Sequence, residues 1–160
     1  MERAEFAEAY ERWYRPLLLY AYALGRRWDL AEDLVQSAFT KALLSYRGEA
    51  GSLRAWLIRV LRNEFLSLCR RDTRLAEGGE ETPGGEDPLE RVLRQEEQRR
   101  VYAAVLALPE RYREVLLQSV VAGLSDREMA VLWHTTEENI RKIRSRAREK
   151  IRKQMEEGEA

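Results

Sequence analysis

The stretch LSDREMAVLWHTTEENIRKIRSRAREK, residues 124–150, decides how this chain is read. Ser125 followed three residues later by Glu128 is a capping box, in which each residue satisfies a backbone amide left open at a helix start. Thr136 caps the next helix, with Thr135 and Glu138 as an alternative box. From Asn139 to Lys153 that second helix carries eight basic residues against one acid, Glu149. Ile140, Ile143 and Ala147 supply an apolar side that would dock on Met129, Leu132 and Trp133. A short capped helix, a tight turn and a long basic helix have the layout of a helix-turn-helix, whose second helix lies in the major groove of DNA. The candidate contacts are Thr136, Asn139, Arg141, Lys142, Arg144, Ser145, Arg146 and Arg148, which combine phosphate neutralisers with side chains able to read base edges. The plainer alternative is a solvated basic helix.

The bulk charge conceals this feature. The 160 residues include 28 basic and 28 acidic side chains, a formal net charge of zero. The signs are nevertheless segregated: residues 75–90 hold six acids and no base, just as residues 139–153 are basic. With 44% apolar and 35% charged residues, the chain can bury a core and is too apolar for a disordered one. A single cysteine, Cys69, rules out an internal disulfide and suits a reducing cytoplasm. The N-terminus shows no signal peptide, and no apolar run approaches the roughly 18 residues of a membrane span. These features predict a cytoplasmic protein without membrane insertion.

Helical signals continue through the rest of the chain, and no segment has strand periodicity. The expected fold is all-α, two small helical domains joined by an acidic Gly/Pro linker. An opening helix from about Glu2 to Tyr14 should stop or kink at Pro16, with a second running to Gly25. Asp29 with Glu32 resembles a cap for the next helix, whose apolar stripe is Ala31, Leu34, Val35, Ala38, Phe39, Ala42, Leu43 and Tyr46. Ser52 caps a helix to about Arg71 that is apolar nearly all round and should be central, with its arginines along one edge. The linker core, EGGEETPGGEDP over residues 77–88, cannot form regular structure. A helix from Leu89 to about Leu108 follows, then one opened by Pro109 and ended near Gly123. The expected division is 1–74, an acidic linker 75–90, and 91–155.

Catalytic chemistry is missing from this inventory. One histidine, one cysteine and glycines that match neither a phosphate-binding loop nor a dinucleotide fingerprint make no active site, so the chain reads as a non-enzyme. His134 has no ligand company, and neither a metal nor any other cofactor is expected. Trp56 and Tyr46 can stack on unpaired bases or fill a core, and both readings stay open.

Five segments in order resemble the extracytoplasmic-function (ECF) branch of the sigma-70 family of RNA polymerase sigma factors. They are YRPLL at 14–18, AEDLVQSAF at 31–39, SLRAWLIRVLRN at 52–63, LPERYREVL at 108–116 and GLSDREMA at 123–130. The resemblance implies that residues 1–74 act as sigma region 2, binding core polymerase and the −10 element, and that 91–155 act as region 4, binding the −35 element. It places core polymerase binding on Asp33, Gln36 and Thr40. It places −10 contacts on Tyr46, Arg47, Arg54, Arg59, Arg62 and Asn63, with the loop 46–52 capturing a flipped base. The implied partners are core RNA polymerase, promoter DNA as duplex and melted strand, and an anti-sigma factor of the kind common in this branch.

This chain departs from the family pattern at five places, one of them Thr135, where an apolar residue is typical. His134 stands where glycine is usual, so it is expected to enter the left-handed conformation at a cost glycine avoids. Trp133 is unusually large, and Trp28 is atypical before its acidic helix. Ile143 and Arg144 exchange the usual polar and apolar places, so the reading helix is expected to be rolled. The linker of about 16 residues would average only ~22 Å as a coil and ~53 Å extended. Two domains ~28 Å across would then need it extended to span −10 and −35 elements roughly 70–80 Å apart. A stand-alone repressor or activator, and an adaptor or anti-sigma protein that binds polymerase without DNA, are the competing readings.

Overall fold

The computed structural model of the chain describes residues 2–48, 52–73 and 88–159, all in helices and their connections, with no strand among them. The chain separates into two compact units, Met1–Pro83 and Gly84–Ala160. The expected linker lies outside the described residues as far as residue 87, and its last residues, from Pro88, are helical.

In the first unit α1 (Arg3–Gly25), α2 (Trp28–Ser45) and α3 (Leu53–Arg71) pack against one another. The break expected at Pro16 does not occur: α1 runs through it. An interior proline costs about 3 kcal/mol. The turn after it buries Leu17, Leu18, Leu19 and Tyr20, each contributing about 1.5–3 kcal/mol, so tertiary burial overrides the local penalty. Gly25 ends α1 but serves close packing instead of turn conformation. A Cβ there would lie 3.0 Å from Leu30 Cδ2 and 3.1 Å from Phe65 Cε2, while the left-handed residue is Arg26, at φ 59°.

Asp29 does not cap α2. Arg27 holds the capping position, and Asp29 sits in the first turn, held by the Arg27 guanidinium at 2.6 Å. The hydrogen bond from Arg27 lowers the Asp29 pKa. Trp28 is buried and stacks on Tyr22 with ring centroids 4.0 Å apart, which accounts for a large aromatic at that position. The stripe from Ala31 to Ala42 is buried as its spacing requires, but Leu43 is 41% exposed, so the buried face ends at Ala42.

Ser52 does cap α3, its hydroxyl accepting from the Ala55 amide at 3.1 Å. The expectation that α3 is central is corrected: only Leu57, Ile58, Leu61 and Phe65 are buried, and the rest of its apolar surface is partly exposed. Helix α3 packs against α1 and α2 through this one face. Glu64 fixes it to α2 by accepting from the Ser37 hydroxyl at 2.9 Å and pairing with Lys41 at 3.2 Å.

The second unit begins with α4 (Pro88–Val92) and α5 (Glu96–Leu106), two helices where one was expected. Arg99 explains the interruption, since its Nη1 donates to the carbonyls of Leu93 and Arg94 at 2.7 and 2.8 Å. Pro109 precedes α6 (Glu110–Leu116), which continues as a π-helical turn, Leu117–Val121. That widened turn buries the side chain of Gln118, whose Oε1 accepts from the Trp133 indole at 2.8 Å. The large Trp133 thus has a hydrogen-bonded seat.

Ser125 and Glu128 form the expected capping box on α7 (Asp126–Leu132), with bonds of 3.0 and 2.9 Å. His134 takes the left-handed conformation, φ 53°. Its amide donates to Val131 O and that of Thr135 donates to Ala130 O, the pair of bonds that defines a Schellman stop. Thr136 then caps α8 (Glu137–Glu159), its hydroxyl accepting from the Asn139 amide at 3.1 Å. Thr135 takes a bond from the Asn139 side chain, so the Thr136 cap is the one formed.

Replacing His134 by glycine relieves a left-handed strain of roughly 1–2 kcal/mol and adds unfolded-state entropy of roughly 0.5–1 kcal/mol. The expected result is an unchanged or slightly raised melting temperature, measured by thermal unfolding; marked destabilisation would mean that the imidazole has a specific partner.

Candidate functional site

Helix α8 is polar over most of its surface and is anchored through Ile140, Ile143 and Ala147, which are 0%, 6% and 0% exposed. Spaced three and four residues apart, they form one narrow stripe. The sides away from it expose Arg141, Lys142, Ser145, Arg146 and Arg148, and Thr136 is exposed at the N-terminal end. Arg141, Arg144, Ser145, Arg148 and Arg152 line one shallow groove along the helix. Glu149 lies in the same groove, but Arg152 covers it at 2.6 Å and lowers its pKa through that hydrogen bond. The surface presented to a polyanion is therefore basic.

Four of the eight candidate contacts have other partners, Thr136 being the cap of α8. Asn139 is half-buried, and its amide nitrogen donates to Thr135 Oγ1 at 3.0 Å. Arg144 is engaged more fully. Its side chain is only 17% exposed and its two terminal nitrogens are bound to the Asp126 carboxylate of α7, Nη1 to Oδ1 and Nη2 to Oδ2 at 3.1 Å. Nη1 also reaches Ser119 Oγ at 3.4 Å. The end-on fork of this guanidinium is thereby occupied by Asp126, which leaves Nε and one Nη2 hydrogen of its five donors. Arg141 stands 3.8 Å from the same carboxylate but remains half exposed.

In the first unit Asp33, Gln36 and Thr40 share an exposed face of α2. Gln36 also donates to the Tyr10 hydroxyl of α1 at 2.8 Å. Tyr46 and Trp56 are half-buried and meet edge to face at 5.5 Å, a pairing intermediate between the open and core readings. Arg47 folds back to cap α2, donating to Leu44 O at 3.2 Å and Tyr46 O at 3.3 Å. Arg54 lies over the Trp13 ring at 5.0 Å. Arg59 and Asn63 are exposed one turn apart on α3, and Arg62 is half-buried beside them. Part of the loop 46–52 lies outside the described residues.

Sequence reasoning missed Asp126 and Ser119, which hold Arg144, Trp13, which lies under Arg54, and Tyr10, which accepts from Gln36. Only Arg144 offered a signal, since an arginine beside the docking stripe needs an acid within reach. No group of ligand side chains suited to a metal ion occurs among the described residues, and no helix there is long and apolar enough to cross a membrane.

The sigma-70 region 2 family model matches residues 9–75, and the sigma-70 region 4 model matches 98–151. The ECF RNA polymerase sigma factor SigM of Bacillus subtilis is 23% identical over 149 residues, covering 91% of each chain. The probable RNA polymerase sigma factor RfaY of Xanthomonas campestris is 29% identical over 148 residues, covering 84% of this chain and 36% of that protein. Among solved structures, the sigma factor RpoE in complex with the anti-sigma factor NepR from Bartonella quintana matches 95% of this chain and 97% of its own, with a TM-score of 0.70 and 25% identity. CnrH in complex with the cytosolic domain of CnrY matches 97% and 90%, with a TM-score of 0.64 and 23% identity.

The bond from Arg144 lowers the Asp126 pKa from its ordinary 3.8, so the folded state gains stability from this group above the unfolded value and loses it as pH falls through the depressed folded value. Asp126→Asn should cost about 1–2 kcal/mol near pH 7. Its melting deficit against the parent should shrink as the pH is lowered below about 4. A deficit independent of pH, in melts from pH 7 to pH 3, would contradict the pairing.

Proposed function

Because the chain belongs to the sigma-70 family, we infer that it is an ECF-type sigma factor, a non-enzymatic subunit that directs core RNA polymerase to specific promoters and starts transcription there. The observation that carries this reading is the presence of both sigma segments on one chain, region 2 over 9–75 and region 4 over 98–151. A stand-alone regulator would need only the second, and a polymerase adaptor would not need the basic face of α8. The protein acts in the cytoplasm, where the polymerase is.

The roles divide between the units. Residues 1–74 serve core binding and the −10 element, residues 91–155 serve the −35 element, and 75–90 link them. In the second unit, α7 and the His134 turn set α8 for the major groove. Arg141, Lys142, Arg146 and Arg148 neutralise phosphates or reach base edges, with Thr136 and Ser145 as neutral polar contacts. In the first unit, the Asp33, Gln36 and Thr40 face grips core polymerase. Tyr46, Arg47 and the α3 side chains Arg54, Arg59, Arg62 and Asn63 border the melted strand. Capturing an extruded base favours melting without ATP, since its binding offsets the few kcal/mol of unstacking. The two solved neighbours are each held by a partner protein, in one case a named anti-sigma factor, which supports an anti-sigma partner here.

Run-off transcription with core polymerase on a library of promoter fragments tests the reading. Discrete start sites that depend on this protein are expected, and none above core enzyme alone would end it. Asp33→Lys with Gln36→Ala should abolish co-elution with core polymerase while circular dichroism shows unchanged helix content. Unaltered co-elution would move the polymerase contact elsewhere.

A further inference from the structure

We propose that the Asp126–Arg144 pair is a positioning device that fixes the rotation of α8 about its own axis, and so decides which basic side chains face promoter DNA. The inference rests on the reading of α8 as the −35 helix. The three apolar anchors of α8 lie on one stripe, and contact between apolar side chains is non-directional. Successive residues on a helix are about 100° apart, so slipping the buried stripe by one residue would replace Arg141 and Ser145 on the outward face. A bidentate guanidinium–carboxylate contact is planar and directional, and it admits one orientation. Here it joins three elements: Arg144 of α8, Asp126 at the start of α7, and Ser119 in the π-helical turn. Arg144 is thereby a positioning residue, and it makes no contact with phosphate or base.

The experiment uses holoenzyme and a duplex from the −35 region of a start site mapped by run-off transcription, against a scrambled duplex, over a range of salt. Asp126→Asn removes no basic residue, and Arg144→Gln removes one. Each should lower discrimination between the duplexes roughly tenfold while leaving the salt slope at its parental value, and the double variant should lose no more than either single one. Arg141→Ala, by contrast, should reduce the slope by about one unit. If either variant fails to fold, Arg144→Lys, which keeps the charge and loses the fork, should show the same loss of discrimination. Tighter binding by Asp126→Asn, or a slope reduced by about one in Arg144→Gln, would make Arg144 a phosphate ligand and overturn the proposal. Parental discrimination in the variants would overturn it alone. A parent protein that does not discriminate would overturn the −35 reading and this proposal with it.

Discussion

A helix that gives most of its surface to DNA, as proposed for α8, has little left with which to hold itself in place. Helix α8 is 23 residues long, yet it docks mainly through Ile140, Ile143 and Ala147. Burying those three supplies attraction but little angular definition. The polar features of the second unit answer that shortage. The Schellman stop at His134 aims the chain, the Thr136 cap starts the helix at a fixed residue, and Asp126 with Ser119 holds Arg144. Trp133 is fixed in turn by Gln118 from the π-helical turn. Each bond is of ordinary strength, about 0.5–1.5 kcal/mol for neutral groups. Their importance lies in direction.

Features governed by neighbours in sequence were legible in the residues. The capping box at Ser125 and Glu128, the Ser52 cap and the buried stripe of α2 follow from spacing alone, because their partners lie within one or two turns. The errors share a different cause. Pro16 was read as a stop or kink because the penalty is local, and the stop is overridden by burial against other helices. Asp29 was read as a cap because its carboxylate suits one, but Arg27 beside it captures that carboxylate. Helix α3 was placed at the centre on its composition, but α1 and α2 bury only the face of Leu57, Ile58, Leu61 and Phe65. The acid that meets Arg144 was illegible for the same reason, since it lies 18 positions away. Identity of residue type predicts capability, and tertiary contact decides whether that capability is already in use.

The zero net charge is part of the same logic. Long-range attraction to DNA depends on where charge lies, not on its sum, because interactions beyond about 8–10 Å are screened at physiological salt. A basic face on α8 therefore acts on a nearby duplex regardless of the acids elsewhere in the chain. The acidic 75–90 segment avoids adding a second basic surface, which would strengthen binding to any sequence and so dilute discrimination.

On the proposed reading, weak binding of DNA by each unit alone would serve a promoter-directing subunit. When the first contact is made, the second becomes intramolecular, with an effective concentration that reaches millimolar for a suitable tether. Affinity then requires both promoter elements at the correct separation, and a site carrying only one is released quickly. Tight binding by either unit alone would forfeit that spacing test. The narrow docking stripe of α8 and its directional ties are consistent with this demand, since the second unit is selected for orientation rather than for grip. A larger apolar anchor would add stability, yet only side chains that define rotation would improve the choice between one −35 sequence and another.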